Sequence, residues 1–196
     1  MSAKGFQLVE LLVVLALLSC LVTFSVPPLL NSSADLRLRM AAGELVGVLR
    51  TAKAYAIRHD ANVAVKFRTE QDGTVTFTLY RDADGDGVLT KDINAGVDPA
   101  VTPAIRLSQL GRRLGLGFPP GPPVPDPSSP QRLLSGSDPI RFNQSDLASF
   151  SPLGTSTPGS LYVTDGGKRL AVVRVTNKTG TVRVMVYDSA RRVWRD

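Results

Sequence analysis

From Leu11 to Ala34 the chain runs for 24 residues without one charge, and Glu10 stands at the mouth of that run. A helix that crosses a membrane needs roughly 20 such residues. A carboxylate at the start of an apolar helix is costly, about 2.5–3.5 kcal/mol if it lies near a bilayer centre. Such an acid needs a cation. The four-residue step from Phe6 to Glu10 puts both on one helical face, yet the Phe6 side chain carries no charge. A free amino terminus at Phe6 supplies one, provided the chain is cut between Gly5 and Phe6.

The segment Lys4-Gly5-Phe6-Gln7-Leu8-Val9-Glu10-Leu11-Leu12-Val13-Val14-Leu15 resembles the class III signal of type IV pilins and type II secretion pseudopilins. The resemblance implies cleavage after Gly5 by a prepilin peptidase, N-methylation of Phe6, and an assembly role for Glu10 against the amino terminus of a neighbouring subunit. Two other signals compete. An ordinary secretory signal has an apolar core of about 7–15 residues, shorter than this run. Leu17-Leu18-Ser19-Cys20 is a loose lipid-attachment box, but it gives no reason for Gly5-Phe6 or Glu10.

The remainder suits one domain of ordinary size. Cys20 is the single cysteine, so no intramolecular disulfide forms. Lys4 ahead of the run favours a cytoplasmic N-terminus. The expected placement is therefore a single-pass inner-membrane protein with its C-terminal domain in the periplasm, incorporated into a pilus or pseudopilus.

Pro27-Pro28 remove two N–H donors, which predicts a kinked or interrupted helix. Beyond them Leu38, Ala41, Ala42, Leu45, Val48, Leu49, Ala52, Tyr55 and Ala56 recur at three- and four-residue steps, with Arg37, Arg39, Glu44, Arg50, Lys53 and Arg58 mostly on the other face. That pattern predicts an amphipathic helix to about His59 that packs on a sheet. Asn62–Thr69 and Thr74–Arg81 alternate around Gln71-Asp72-Gly73 and predict a hairpin. Pro139–Phe142, Ser160–Thr164, Leu170–Thr176 and Val182–Tyr187 are further strand candidates, the last two flanking Asn177-Lys178-Thr179-Gly180. Seven of the 12 residues from Pro119 to Pro130 are proline. They exclude a helix or a central strand, and 111–138 reads as an extended, partly mobile surface loop.

Ala41 through Arg58 followed by Val63-Ala64-Val65, and Phe150-Ser151-Pro152-Leu153-Gly154-Thr155 ahead of Leu161-Tyr162-Val163, narrow the resemblance to GspH/FimT-type minor pseudopilins. It implies a pilin-like α+β fold, with a long N-terminal transmembrane-to-soluble α-helix packed on a mainly antiparallel β-sheet domain. The organisation expected is a leader at 1–5, a transmembrane and assembly helix at 6–30, and the α+β domain at 31–196.

Asp82-Ala83-Asp84-Gly85-Asp86-Gly87 matches the first half of a calcium loop, with acids at alternate positions and glycine at the sixth. The twelfth position is Ile93 rather than the bidentate Glu, and Asp92 stands one place early. Calcium at Asp82, Asp84 and Asp86 and a solvated acidic turn are the two readings; no other cofactor is expected. The lone histidine, His59, reads as a helix-end residue, and no zinc set, phosphate-binding glycine motif or Gly-x-Ser-x-Gly element is present. The expectation is no enzyme.

From Gly166 to Asp196 eight cations face two acids, a balance of +6 that equals the net charge of the whole chain. Arg183, Arg191, Arg192 and Arg195 with Trp194 interleaved have the chemistry to hold phosphates and stack on bases. Some FimT-like minor pilins bind DNA through such a region. Three functions are thus in view: a minor pseudopilin in a type II secretion pseudopilus, a DNA-binding minor type IV pilin, and a lipid-anchored protein that does not polymerise. The partners implied are other pilins or pseudopilins, prepilin peptidase, the inner membrane and DNA.

Overall fold

The computed structural model describes residues 8–71, 74–107, 114–134, 137–176 and 179–196, with the backbone alone at 22 and 24–32. Gly5 and Phe6 lie outside the described residues, as do 72–73 and 177–178 of the two expected turns and 111–113 of the proline segment. The chain divides into two units, Met1–Arg37 and Leu38–Asp196.

Helix α1 spans Leu8–His59 and contributes to both units. It continues through Pro27-Pro28, where an interruption was one of the two outcomes expected. A proline deletes one N–H donor and crowds one carbonyl, and the turns on either side carry the helix across. In the first unit, Leu8, Leu12, Leu15, Leu18 and Leu21 are all half or more exposed.

The expected single membrane span is corrected here. Among the described residues no helix is long and apolar enough to cross a membrane. The single-pass inner-membrane placement, with a cytoplasmic N-terminus and a periplasmic domain, falls with it.

The second unit is mixed α/β, and every strand pairing among its described residues is antiparallel. Sheet A is built from β1 (Val63–Thr69), β2 (Val75–Arg81), β3 (Ile105–Arg106) and β8 (Leu147–Phe150), in the order β3-β2-β1-β8. Sheet B runs β12 (Val193–Arg195), β11 (Thr181–Asp188), β10 (Leu170–Thr176), β9 (Gly159–Thr164), β4 (Gly115–Leu116), with β7 (Ile140–Arg141) also paired to β9. β5 (Pro125–Asp126) and β6 (Ser129–Leu133) form a separate ribbon, and α2 covers Thr90–Ala95.

One core joins the helix to both sheets. Leu38, Ala41, Ala42, Leu45, Leu49, Ala52 and Ala56 of α1 are buried with Val63, Val65, Phe67 and Phe77 of sheet A and Leu161, Val163, Ala171, Val173 and Val175 of sheet B. The apolar recurrence expected from the sequence is thus the buried face, with Val48 and Tyr55 at its margin. The alanines keep that face flat, so strands approach it closely. α1 ends at His59, whose ring stacks on Tyr55 at 4.0 Å.

The outer face of each sheet has its own cover. Ala64 and Leu147 of sheet A are buried with Val88 and Ile93, from the acidic turn and α2. Tyr162, Leu170 and Val172 of sheet B are buried with Val124 and Leu134, which flank the β5–β6 ribbon. The proline-rich stretch expected as a surface loop is therefore partly structured and docked. Its prolines supply extended backbone without donors, and Val124 and Leu134 anchor it through the bond from Leu134 N–H to Val124 C=O, 2.8 Å.

Gly159 opens β9 against the Phe142 ring, and a Cβ placed there would stand 2.1 Å from that ring. Phe142 is completely buried and has nowhere to retreat. Gly159→Ala should destabilise the fold by about 1–3 kcal/mol or more through overpacking, read by denaturant unfolding. Phe142→Leu in the same chain should recover part of that loss, because contacting sites couple.

Candidate functional site

The three sequence-derived aspartates do converge. Carboxylate oxygens of Asp82, Asp84 and Asp86 lie within 4.8 Å of one another at the exit of β2. Their roles differ. Asp82 is buried, while Asp84 and Asp86 are exposed. Asp82 accepts from Gly85 N–H at 2.7 Å, Gly87 N–H at 2.9 Å and the Asn62 side-chain amide at 2.8 Å. Gly85 and Gly87 have φ of 88° and 94°, left-handed values that glycine adopts without strain.

A second carboxylate, not singled out in the sequence, closes the turn. Asp98, 2% exposed, accepts from Ala83 N–H and Leu89 N–H, each at 3.2 Å. Asp82 and Asp98 therefore hold the turn from its two ends, using backbone donors of the turn together with the Asn62 amide. The local signal for Asp98 was slight, since it lies 15 residues from Ala83 and outside the alternating aspartates.

Calcium chemistry fits this donor set only in part. The twelfth position, Ile93, is buried against Val88. Asp92 turns to Lys91, which stands 3.6 Å from Asp92 and 3.4 Å from Asp86. No bidentate carboxylate closes the loop, and both Asp82 oxygens already accept hydrogen bonds.

The electrostatics follow the geometry. Burial pushes the Asp82 carboxyl up, but the bonds from Asn62, Gly85 and Gly87 outweigh it and leave the group below its ordinary value. Asp84 is shifted upward, by desolvation and by the charge of Asp86.

The basic C-terminal residues occupy separate settings. Arg183 is exposed on β11. Arg191 and Arg195 both pair with Asp188, at 3.6 and 3.0 Å. Arg192 donates to the Pro123 carbonyl at 3.2 Å. Trp194 is a packing residue: its Nε1–H donates to the Pro125 carbonyl at 2.8 Å, and its ring lies 5.2 Å from Tyr187 and 6.3 Å from Tyr162. The tail thus clasps the proline ribbon to sheet B, which its charge pattern did not foretell. Arg191 and Arg195 stay more than half or half exposed, and surface pairs of this kind contribute only about 0–1 kcal/mol.

Glu10 sits in the first turn of α1, exposed. It is placed at the end where a helix dipole favours negative charge. Cys20 is exposed and unpaired as a thiol.

Comparisons with models of protein families, with curated proteins and with solved structures found no match to this chain.

Asp82→Asn should destabilise the domain by about 1–3 kcal/mol, because one amide oxygen cannot serve three donors and buried N–H groups lose partners. Asp82 titrates lower in the folded chain than its ordinary 3.8. Its contribution is therefore complete above about that pH and is lost as pH falls through the folded value. Unfolding curves of both chains at neutral pH and down to acid pH should converge at the acid end.

Proposed function

We propose that this chain is a minor pseudopilin, a structural or priming subunit of a type II secretion pseudopilus. One observation carries the reading: an apolar helical segment, Leu8–Leu21, is exposed along its length and bears a carboxylate, Glu10, in its first turn. Burying a leucine side chain contributes about 1.5–3 kcal/mol, so this segment holds a large unused drive toward association. A bundle of like helices from neighbouring subunits satisfies it. Glu10 then needs a cation within that bundle, and the resemblance of residues 4–15 supplies one, the amino terminus of processed Phe6 on the next subunit.

The folded second unit is the part such a filament displays. The proposed role needs no catalytic group. For the acidic turn we propose a structural role ahead of calcium binding. Asp82 and Asp98 fasten backbone over the outer face of sheet A, and the closing carboxylate is lacking. DNA uptake by a minor pilin is the second reading; the concentration of positive charge after Gly166 favours it.

The filament reading is tested on the processed chain. Intact mass from a host with prepilin peptidase should show loss of Met1–Gly5 and one added methyl. Glu10→Ala should be processed normally but join filaments at about a tenth of the normal level or less, since a lost buried ion pair costs more than one factor of ten. A mature terminus at lipidated Cys20 would remove the assignment, and normal incorporation of the variant would remove the role of Glu10.

A further inference from the structure

The outer face of sheet B carries a row of arginines that its apolar neighbours do not explain. Arg174 on β10 lies directly opposite Arg183 on β11. On its other side Arg174 faces Ser160 of β9, and Ser160 faces Arg141 of β7. Strand alternation puts all four on the face of Tyr162 and Val172, away from the helix. The row is therefore Arg183, Arg174, Ser160, Arg141, in the order of the strands.

Like charges directly opposite in a sheet are destabilising. Among the described residues Arg174 and Arg183 make no ion pair. The Arg174 Nε is also buried without a hydrogen-bond partner. A buried guanidinium N–H left unmade is rare and costly. Arg141 is held in place, its Nε–H donating to the Asp138 carbonyl at 3.1 Å and its guanidinium 5.5 Å from the Tyr162 ring centre. Burial raises the Tyr162 phenol above its ordinary value, with the charges of Arg141, Asp126 and Arg174 acting on it as well. Asp126 is engaged locally, accepting from Ser128 N–H at 2.7 Å.

We propose that Arg174 and Arg183, with Ser160 beside them, form a binding site for a tetrahedral oxyanion, a phosphate or sulfate group, on the outer face of sheet B. Two adjacent guanidinium forks match such a group bidentately, and the anion removes the repulsion between them. This site is separate from the Asp188-paired tail, and it stands whether or not the chain enters a filament.

The test uses the full chain in mild detergent, titrated with inorganic phosphate against chloride at matched ionic strength. Phosphate should raise the melting temperature, because it binds the folded state alone, and calorimetry should show one site. Arg183→Gln should weaken phosphate binding about tenfold or more. In chloride the same variant should be at least as stable as the parent, since a like-charge neighbour is gone. Arg183→Lys should bind more weakly than the parent, having charge without the fork, while Arg106→Gln on sheet A should bind phosphate as the parent does. A melting temperature indifferent to phosphate, or undiminished binding by Arg183→Gln, would overturn the site. Competition by a short DNA duplex identifies the source: displacement of phosphate assigns the group to a phosphodiester polymer, and no displacement assigns it to the free ion. Both results uphold the arginine pair.

Discussion

Burial of one face of α1, from Leu38 to Ala56, is the constraint on which the second unit depends. That face contributes to a core shared by both sheets, so neither sheet has an inner layer without it. Its composition sets the geometry. Leu38, Leu45 and Leu49 fill volume, whereas Ala41, Ala42, Ala52 and Ala56 let strands come close. A leucine-to-alanine change at Leu45 or Leu49, both completely buried, would leave a void bordered by two sheets, the situation in which relaxation is hardest.

The two irregular segments complete what that helix cannot reach. A sheet that packs on a helix with one face still has a second face to cover. The acidic turn and α2 lay Val88 and Ile93 on sheet A. The proline ribbon lays Val124 and Leu134 on sheet B, and Trp194 fastens it from the last strand. β10 shows the result, with Leu170 to Val173 buried on both faces. The arginine row lies on the same outer face of sheet B, with Arg183 exposed and Arg174 half-buried.

Much of this was legible in the sequence, and the reasons for the rest are physical. The helix face and its end at His59 follow from periodicity, because a 3.6-residue repeat survives any tertiary context. β10 and its partner β11 lie where the strand candidates Leu170–Thr176 and Val182–Tyr187 were read. Sheet membership did not emerge, since β8 pairs with β1 across more than 80 residues and its four residues are too few to show a period. The covers were misjudged because prolines and aspartates read as solvated. Their buried contacts rest on a few apolar residues, Val88, Ile93, Val124 and Leu134, spaced without pattern. The three aspartates were found, but Asp98 and Asn62, which complete the turn, carry little local signal. The arginine row is a product of strand register alone, and no spacing along the chain announces it.

α1 thus carries two apolar surfaces with different fates. The surface from Leu38 onward is buried within the second unit, and that of Leu8–Leu21 is exposed, which the filament proposal assigns to contacts between subunits. Hydrogen exchange read by mass spectrometry, on the isolated chain and on assembled filament material, tests this division most directly. The account predicts strong protection of amides 38–59 in both samples, with amides 8–21 exchanging fast in the isolated chain and slowly in the assembly. Equal exchange of 8–21 in the two samples, or loss of protection at 38–59 in the isolated chain, would contradict it.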